Sequence, residues 1–307
     1  MQVALVHDAV LPVVGYGGTE RVISWLLRGL HEIGVETTLI AKPGSRNTFG
    51  KLIEHTGKFP PSQFPRCDLV HFFNTPSFVP GFPYLVSIHG NGKPQERFLP
   101  NTSFVSRNHA LRHGAEAYVY NGIDPDEYRF EKNKDGSLLF LAKASWKVKN
   151  VKGAIRIARK AERALHIVGG KRWFFPHWRG IHWEGILDGE KKTGFLSRCS
   201  ALLFPVLWEE PFGLAVVEAL ASGTPVLATK RGSLPELVTA EVGALCETDD
   251  EFLSAIEKIS TFDPKQCREA VMARFHYRNM ARSYLALYEK ILSGEKINQN
   301  LGVQAGR

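Results

Sequence analysis

Cysteine is scarce in this chain: four residues in 307, namely Cys67, Cys199, Cys246 and Cys267. None forms a C-x-x-C pair, so neither a zinc knuckle nor a disulfide framework is expected, and a reducing cytoplasmic setting suits them. No run of about 18 consecutive apolar residues occurs, so no membrane-spanning helix is expected. The opening MQVALVHDAV lacks a cationic segment followed by a long apolar stretch, and reads as a first strand rather than a signal peptide. Acidic residues are outnumbered, 31 against 39 Lys plus Arg, which gives +8. That balance fits a solvated basic face, an anionic small molecule or an anionic membrane surface. Without a Lys/Arg run or Arg-rich low complexity, nucleic acid is not an expected partner. HExxH, P-loop and GxSxG motifs are missing, as is any Cys/His pattern for nucleophilic catalysis.

What is present is ordinary globular composition, 44% hydrophobic and 23% charged, which excludes wholesale disorder. A chain of 307 residues exceeds what one core usually serves, so two domains of roughly 120 to 160 residues are expected. Short apolar runs at 3–7, 37–41, 69–73 and 84–89 read as strands buried on both faces. Between the first two lies a helical pattern with Val22, Leu26, Leu30 and Ile33 on one face, Thr19 as N-cap and Gly34 as stop. The polar segment 122–137 reads as a linker between a first domain (1–121) and a second (138–275). The second domain repeats the alternation, with strands at 138–144, 165–170, 201–206 and 225–229 and helices at 151–164 and 214–223. This order predicts an α/β protein with parallel sheets. The stretch from Glu251 to Leu292 reads as helical, and the tail 293–307 as polar and frayed.

The sharpest chemical signal is Glu210-Pro211-Phe212-Gly213-Leu214-Ala215-Val216-Val217-Glu218. It follows a strand and opens a helix, so the amides of Phe212, Gly213 and Leu214 can meet a phosphate at the positive end of the helix dipole. Two carboxylates beside a phosphate need other partners, and sugar or ribose hydroxyls are natural donors to them. The segment 208–229, WEEPFGLAVVEALASGTPVLAT, resembles the E-x7-E segment of retaining GT-B glycosyltransferases, the glycosyltransferase family 4 group. The resemblance implies that Glu210 contacts the transferred sugar and Glu218 the ribose. It places backbone contacts to phosphate and sugar at Phe212, Gly213 and Leu214.

Other segments extend the resemblance. The glycine-rich loop 13–21, with Gly17 and Gly18, is similar to the family's first loop, where the backbone approaches donor and acceptor. A dinucleotide reading is weaker, because Glu20 replaces the third glycine and Lys42 follows the second strand where an acid is needed. His89, at a strand end, matches a cleft histidine near the sugar and is assigned hydrogen bonding. Lys143 stands where the family has Arg, keeping charge but losing bidentate geometry. Lys149 aligns without a gap as the second diphosphate cation, while Lys152-Gly153 matches the family's Lys-Gly text, so both stay open. Asp124-Pro125-Asp126 mimics the D-x-D of metal-dependent GT-A enzymes, yet its place in a linker argues against a metal role. The aromatic and cationic stretch 171–179 fits a nucleobase, an acceptor, a lipid surface or a packed loop.

The resemblance implies a GT-B fold, with two Rossmann-like domains facing across a cleft and a helix at 276–292 crossing back to the first. It implies catalysis by His89, Glu210, Lys143 and Lys149, without metal or cofactor beyond the nucleoside diphosphate sugar. The expected acceptor is a saccharide, lipid-linked or small molecule. A peripheral contact with the inner membrane face and a homo-oligomer stay open. A nucleotide-sugar-binding protein without activity and a Rossmann-type NAD(P) oxidoreductase are the competing readings.

Overall fold

The computed structural model describes residues 1–13, 15, 17–56, 63–92, 96–171, 178–299 and 301. The chain forms two compact units, Met1–Gly122 with Tyr277–Arg307, and Ile123–His276.

The first unit opens with β1 (Gln2–Val6), α1 (Gly18–Glu32), β2 (Glu36–Ala41) and β3 (Lys51–Glu54). Then come β4 (Leu69–Phe72), β5 (Tyr84–Ile88), β6 (Thr102–Phe104) and α2 (Arg107–Arg112). The strands run parallel in the order β3-β2-β1-β4-β5-β6. The strand order reverses between β1 and β4, which opens a crevice at their carboxyl ends. All five residues of β5 are buried, as a strand covered on both faces requires. On α1 the residues Val22, Leu26 and Leu30 are buried together, and Gly34 carries a positive φ of 81° after the last turn. Thr19, expected as the cap, lies inside the first turn; the cap position is Gly17.

The second unit begins with β7 (Leu138–Leu141), α3 (Val151–Lys160), β8 (Leu165–Val168), β9 (Ile181–Gly185) and α4 (Gly189–Arg198). It continues through β10 (Ala201–Phe204), α5 (Leu214–Ala221), β11 (Val226–Thr229), α6 (Leu234–Leu237) and β12 (Gly243–Cys246). Helices α7 (Asp249–Glu257) and α8 (Pro264–Arg274) complete it. Its sheet is parallel with order β12-β11-β10-β7-β8-β9, the same topology as the first, and its reversal falls between β7 and β10. The segment read above as a linker is packed into this unit from Ile123 onward. Ile123, Asp124 and Tyr128 are buried, and the Ile123 N–H donates to the Phe275 carbonyl at 2.9 Å.

Helix α9 (Tyr277–Leu292) returns the chain to the first unit and lies on α1. The two helices approach so closely at Gly29 that a Cβ there would sit 2.7 Å from the Ala281 Cβ. Tyr284 and Tyr288 reach a buried polar network. The Tyr288 hydroxyl lies 2.8 Å from His71 Nδ1, and Ser87 Oγ lies 2.8 Å from His71 Nε2 and 3.0 Å from the Tyr284 hydroxyl. The tail is not frayed along its described length. Asn298 is buried; its amide donates to the Pro100 and Thr102 carbonyls and accepts from the Glu116 and Ala117 amides. One polar side chain with four satisfied positions holds a segment whose composition suggests solvent. Among the described residues, no helix is long and apolar enough to cross a membrane.

Candidate active site

At the carboxyl end of β10 the chain turns through Trp208, Glu209 and Glu210 before α5. This loop is braced by the segment after β11. The Ser233 N–H donates to the Glu210 carbonyl at 2.9 Å, and Ser233 Oγ donates to the Phe212 carbonyl at 2.7 Å. Gly232, with φ +60°, comes so near that a Cβ would lie 2.3 Å from the Glu210 backbone, so only glycine fits there. Gly213 takes a left-handed conformation, φ +92°, as the N-cap of α5. The first-turn amides of α5, at Leu214 and Ala215, have no intrahelical acceptor by the geometry of a helix start. Phe212 is buried, with its ring edge-on to Phe275 at 5.8 Å between centroids.

Across the topological reversal, the loop after β7 supplies Lys149. A 3-10 turn spans Lys147–Lys149, and the left-handed Asn150 follows it with φ 59°. The Asn150 side chain accepts from the Gly153 N–H at 3.0 Å and donates to the Pro205 carbonyl at 2.8 Å, tying this loop to the end of β10. Lys149 Nζ then donates to Glu210 Oε2 at 2.6 Å. The Trp208 indole N–H donates to the same oxygen at 2.7 Å, and the Lys149 ammonium lies 4.5 Å from the Trp208 ring centroid. Lys149 is 8% exposed and Glu210 6%.

Glu218, on the second turn of α5, is built alike. Its Oε1 accepts from Lys192 Nζ on α4 at 2.8 Å and from the Tyr128 hydroxyl at 2.8 Å. Lys192 and Glu218 are each buried. Each acid of the motif therefore carries its own ammonium, and an anion at the α5 N-terminus meets compensated carboxylates rather than bare ones. Lys143 is exposed with its ammonium 5.0 Å from the Trp146 ring centroid, and Lys152 is exposed on the first turn of α3. Trp208, Tyr128, Lys192 and Asn150 were not singled out from the sequence. Only Trp208 lay inside the motif.

Asp124 and Asp126 serve local structure. Asp124 Oδ1 accepts from the Asp126 N–H at 3.1 Å, and the Asp126 carboxylate lies 3.2 Å from Arg268. Among the described residues, no group of three or more His, Cys, Asp or Glu is placed to hold a metal. Residues 172–177, most of the aromatic stretch, lie outside the described residues; Trp178 stacks under Arg159, 5.2 Å from its centroid. A cavity of about 520 Å³ lies at the ends of β8 and β9, lined by Gly170, Lys171, His182, Trp183, Glu184 and Gly185.

In the first unit the carboxyl ends of β1, β4 and β5 bring His7, Phe73 and His89 together. Phe73 lies 6.1 Å from His7 and 5.8 Å from His89 between ring centroids. Burial, with His7 adding to it, pushes the His89 imidazole down to about 3, so it is neutral near pH 7. Its Nε2 is buried without a hydrogen-bond partner among the described residues. His7 is also lowered by burial, against Glu20, whose carboxylate is 3.5 Å away. A Cβ at Gly17 would lie 2.7 Å from Glu20 Oε2 and 2.8 Å from the Val13 side chain, so those side chains would have to shift to admit it; Gly18 starts α1. Val14 and Tyr16 of this loop lie outside the described residues.

Comparison with known proteins places this geometry. Residues 124–271 match the family model of glycosyl transferases group 1. A probable sucrose-phosphate synthase of Thermosipho melanesiensis is 38% identical over 85 residues, 26% of this chain and 20% of that protein. The matched stretches span about a fifth to a third of the curated relatives' lengths. Along the whole fold, AviGT4, a glycosyltransferase involved in avilamycin A biosynthesis, superposes with a TM-score of 0.80 at 25% identity. That likeness covers 95% of this chain and 98% of AviGT4. Anabaena Alr3699/HepE, solved in complex with UDP-glucose, superposes with a TM-score of 0.69 at 16% identity, covering 95% of this chain and 100% of that one. The family match falls on the unit that carries the two compensated acids, and the fold match runs through both units: the second unit is similar to the glycosyl transferases group 1 family, and the chain has the GT-B fold.

Proposed function

We propose that the protein is a retaining glycosyltransferase that moves a sugar from a nucleoside diphosphate sugar to a hydroxyl of a saccharide, lipid-linked or small-molecule acceptor. The observation that carries this reading is the pair of ammonium-compensated carboxylates, Glu210 with Lys149 and Glu218 with Lys192, beside the helix start at Gly213. In the reaction the bond between the anomeric carbon and the β-phosphate oxygen breaks, and its electron pair leaves with the diphosphate. The acceptor oxygen bonds to the same face of that carbon, and its proton passes to the departing phosphate oxygen. Lys149, Lys143 and the amides at the start of α5 stabilise the leaving charge. Glu210 accepts from sugar hydroxyls and Glu218 from the ribose. His89, neutral at pH 7, offers a hydrogen bond rather than a charge. No metal enters this scheme. HepE bound to UDP-glucose, and a starch synthase catalytic domain bound to ADP, make uridine and adenosine diphosphate sugars the first donors to try.

The test is a thermal-shift screen against UDP-, GDP- and ADP-sugars and NAD(P), followed by donor hydrolysis with and without EDTA. A ligand at about 100 times its Kd stabilises by about 2.7 kcal/mol, well within reach of the assay. Stabilisation by a nucleoside diphosphate sugar, and hydrolysis indifferent to EDTA, are expected. Stabilisation by NAD(P) alone would turn the reading to an oxidoreductase, and donor binding without hydrolysis or transfer to any acceptor would leave a binding protein.

A further inference from the structure

The loop before α5 holds an aromatic donor whose place the motif does not explain. Glu210 has two oxygens, and both of its hydrogen-bond donors sit on one of them: Lys149 Nζ at 2.6 Å and Trp208 Nε1 at 2.7 Å from Oε2. Oε1 makes no hydrogen bond to any described residue. Trp208 also turns its ring face to the Lys149 ammonium, at 4.5 Å, and is itself met edge-on by Trp146 at 6.1 Å between centroids. One side chain thus touches both members of the buried pair, by an N–H to the anion and a π face to the cation.

We propose that Trp208 is a positioning residue for Glu210. Its indole N–H fixes Oε2, so that Oε1 is presented to a hydroxyl of the transferred sugar. A second donor is needed for a physical reason. When the Lys149 ammonium turns toward a diphosphate, Glu210 loses its counter-charge, and a buried carboxylate with no remaining donor would be left unsatisfied. The indole N–H is neutral and cannot follow the phosphate, so it keeps the carboxylate in place during the exchange. The ring face guides the ammonium as it moves. This inference rests on the glycosyltransferase reading above and deepens it at one residue.

The test compares two affinities in the full chain. Calorimetric titration measures Kd for UDP-glucose, GDP-mannose or ADP-glucose, whichever the screen selects, and for the same nucleoside diphosphate without its sugar. Trp208→Phe keeps the ring and removes the N–H. It should weaken binding of the sugar-bearing donor by roughly tenfold, the scale of one hydrogen bond to a charged group, and leave the bare diphosphate within about threefold. General loosening of the loop would weaken both ligands alike, so the ratio separates positioning from mere structure. Trp208→His restores an N–H, because imidazole Nε2 falls where indole Nε1 stands in the five-membered ring, and should recover most of the ratio. An unchanged ratio in Trp208→Phe, or an equal loss for both ligands, overturns the inference and leaves the glycosyltransferase reading standing. A wild-type chain that binds none of the donors overturns that reading and this inference with it.

Discussion

The two units have the same strand order, and the polar groups at their reversal points are opposite in kind. In the first, His7 and His89 gather around Phe73, and burial holds both imidazoles toward the neutral form. In the second, carboxylates and ammonium groups are buried as ion pairs, with an aromatic N–H or O–H completing each. Topology opens a crevice in both places; the side chains decide whether it meets a ligand with neutral hydrogen bonds or with charge. A helix start flanked by ammonium groups suits an anion better than a pair of desolvated imidazoles does.

The largest effect should come from splitting a buried pair. Lys192→Met removes the ammonium from Glu218 and leaves its carboxylate charged and desolvated beside the Tyr128 hydroxyl. A loss of about 3–5 kcal/mol in urea unfolding is expected. Lys192→Met combined with Glu218→Gln should recover most of it, since the buried charge goes too. If the double variant is as weak as the single one, packing rather than charge compensation holds this corner, and the contrast between the units fails.

Next in size is a neutral anchor in the first unit. Asn298→Ala strips four hydrogen bonds and leaves buried backbone groups at Thr102 and Ala117 without partners. About 2–4 kcal/mol should be lost, with faster amide exchange near Ala117 as the local sign. A change under about 0.5 kcal/mol would mean the tail is only resting on the surface.

That anchor also marks the limit of what the sequence could say. The apolar strands β1, β5 and β10 were readable because burial on both faces demands apolar runs. The strand β6, Thr-Ser-Phe, was not, because Thr102 and Ser103 are buried polar residues in a run of three. Strand β12 opens with Gly243, which looks like a turn. In the fold it is demanded by the Val226 carbonyl, 2.0 Å from where a Cβ would stand. At the site, Glu210 and Glu218 were legible from their spacing after a strand. Lys192 and Tyr128 meet Glu218 from 26 and 90 residues away, a proximity that only the folded sheet creates.

Acid should reach the two units unequally. Burial pushes His89 down to about 3, and burial with His113 and Arg112 does the same for His109, both in the first unit. The unfolded chain takes up these protons below about pH 6.5 and the native one does not. The stability they contribute is complete above pH 6.5 and is lost as pH falls from there toward 3. At pH 5 each histidine costs about 2 kcal/mol. Hydrogen exchange between pH 8 and 5 should show the first unit losing protection before the second, and His109→Phe should flatten that slope. Equal slopes in both units would remove the neutral-histidine half of the comparison.

The smallest effect should be the most salt-dependent. Asp249 accepts from Arg156 at 2.7 and 2.8 Å and from Lys160 at 3.0 Å, with more donors than Glu218 is given at that site by its lysine alone. Yet Arg156 and Lys160 are 56% and 49% exposed in their side chains, so water already solvates the cations and screens the pair. Asp249 also stands at the first position of α7, where a carboxylate meets the helix dipole. Asp249→Asn should therefore cost less than about 1 kcal/mol, and less again in high salt. The Lys192→Met loss should hardly change with salt, because ions do not enter a buried pair. If the surface substitution costs as much as the buried one, burial is not what separates a working pair from a decorative one, and the charge at the second reversal point needs another explanation.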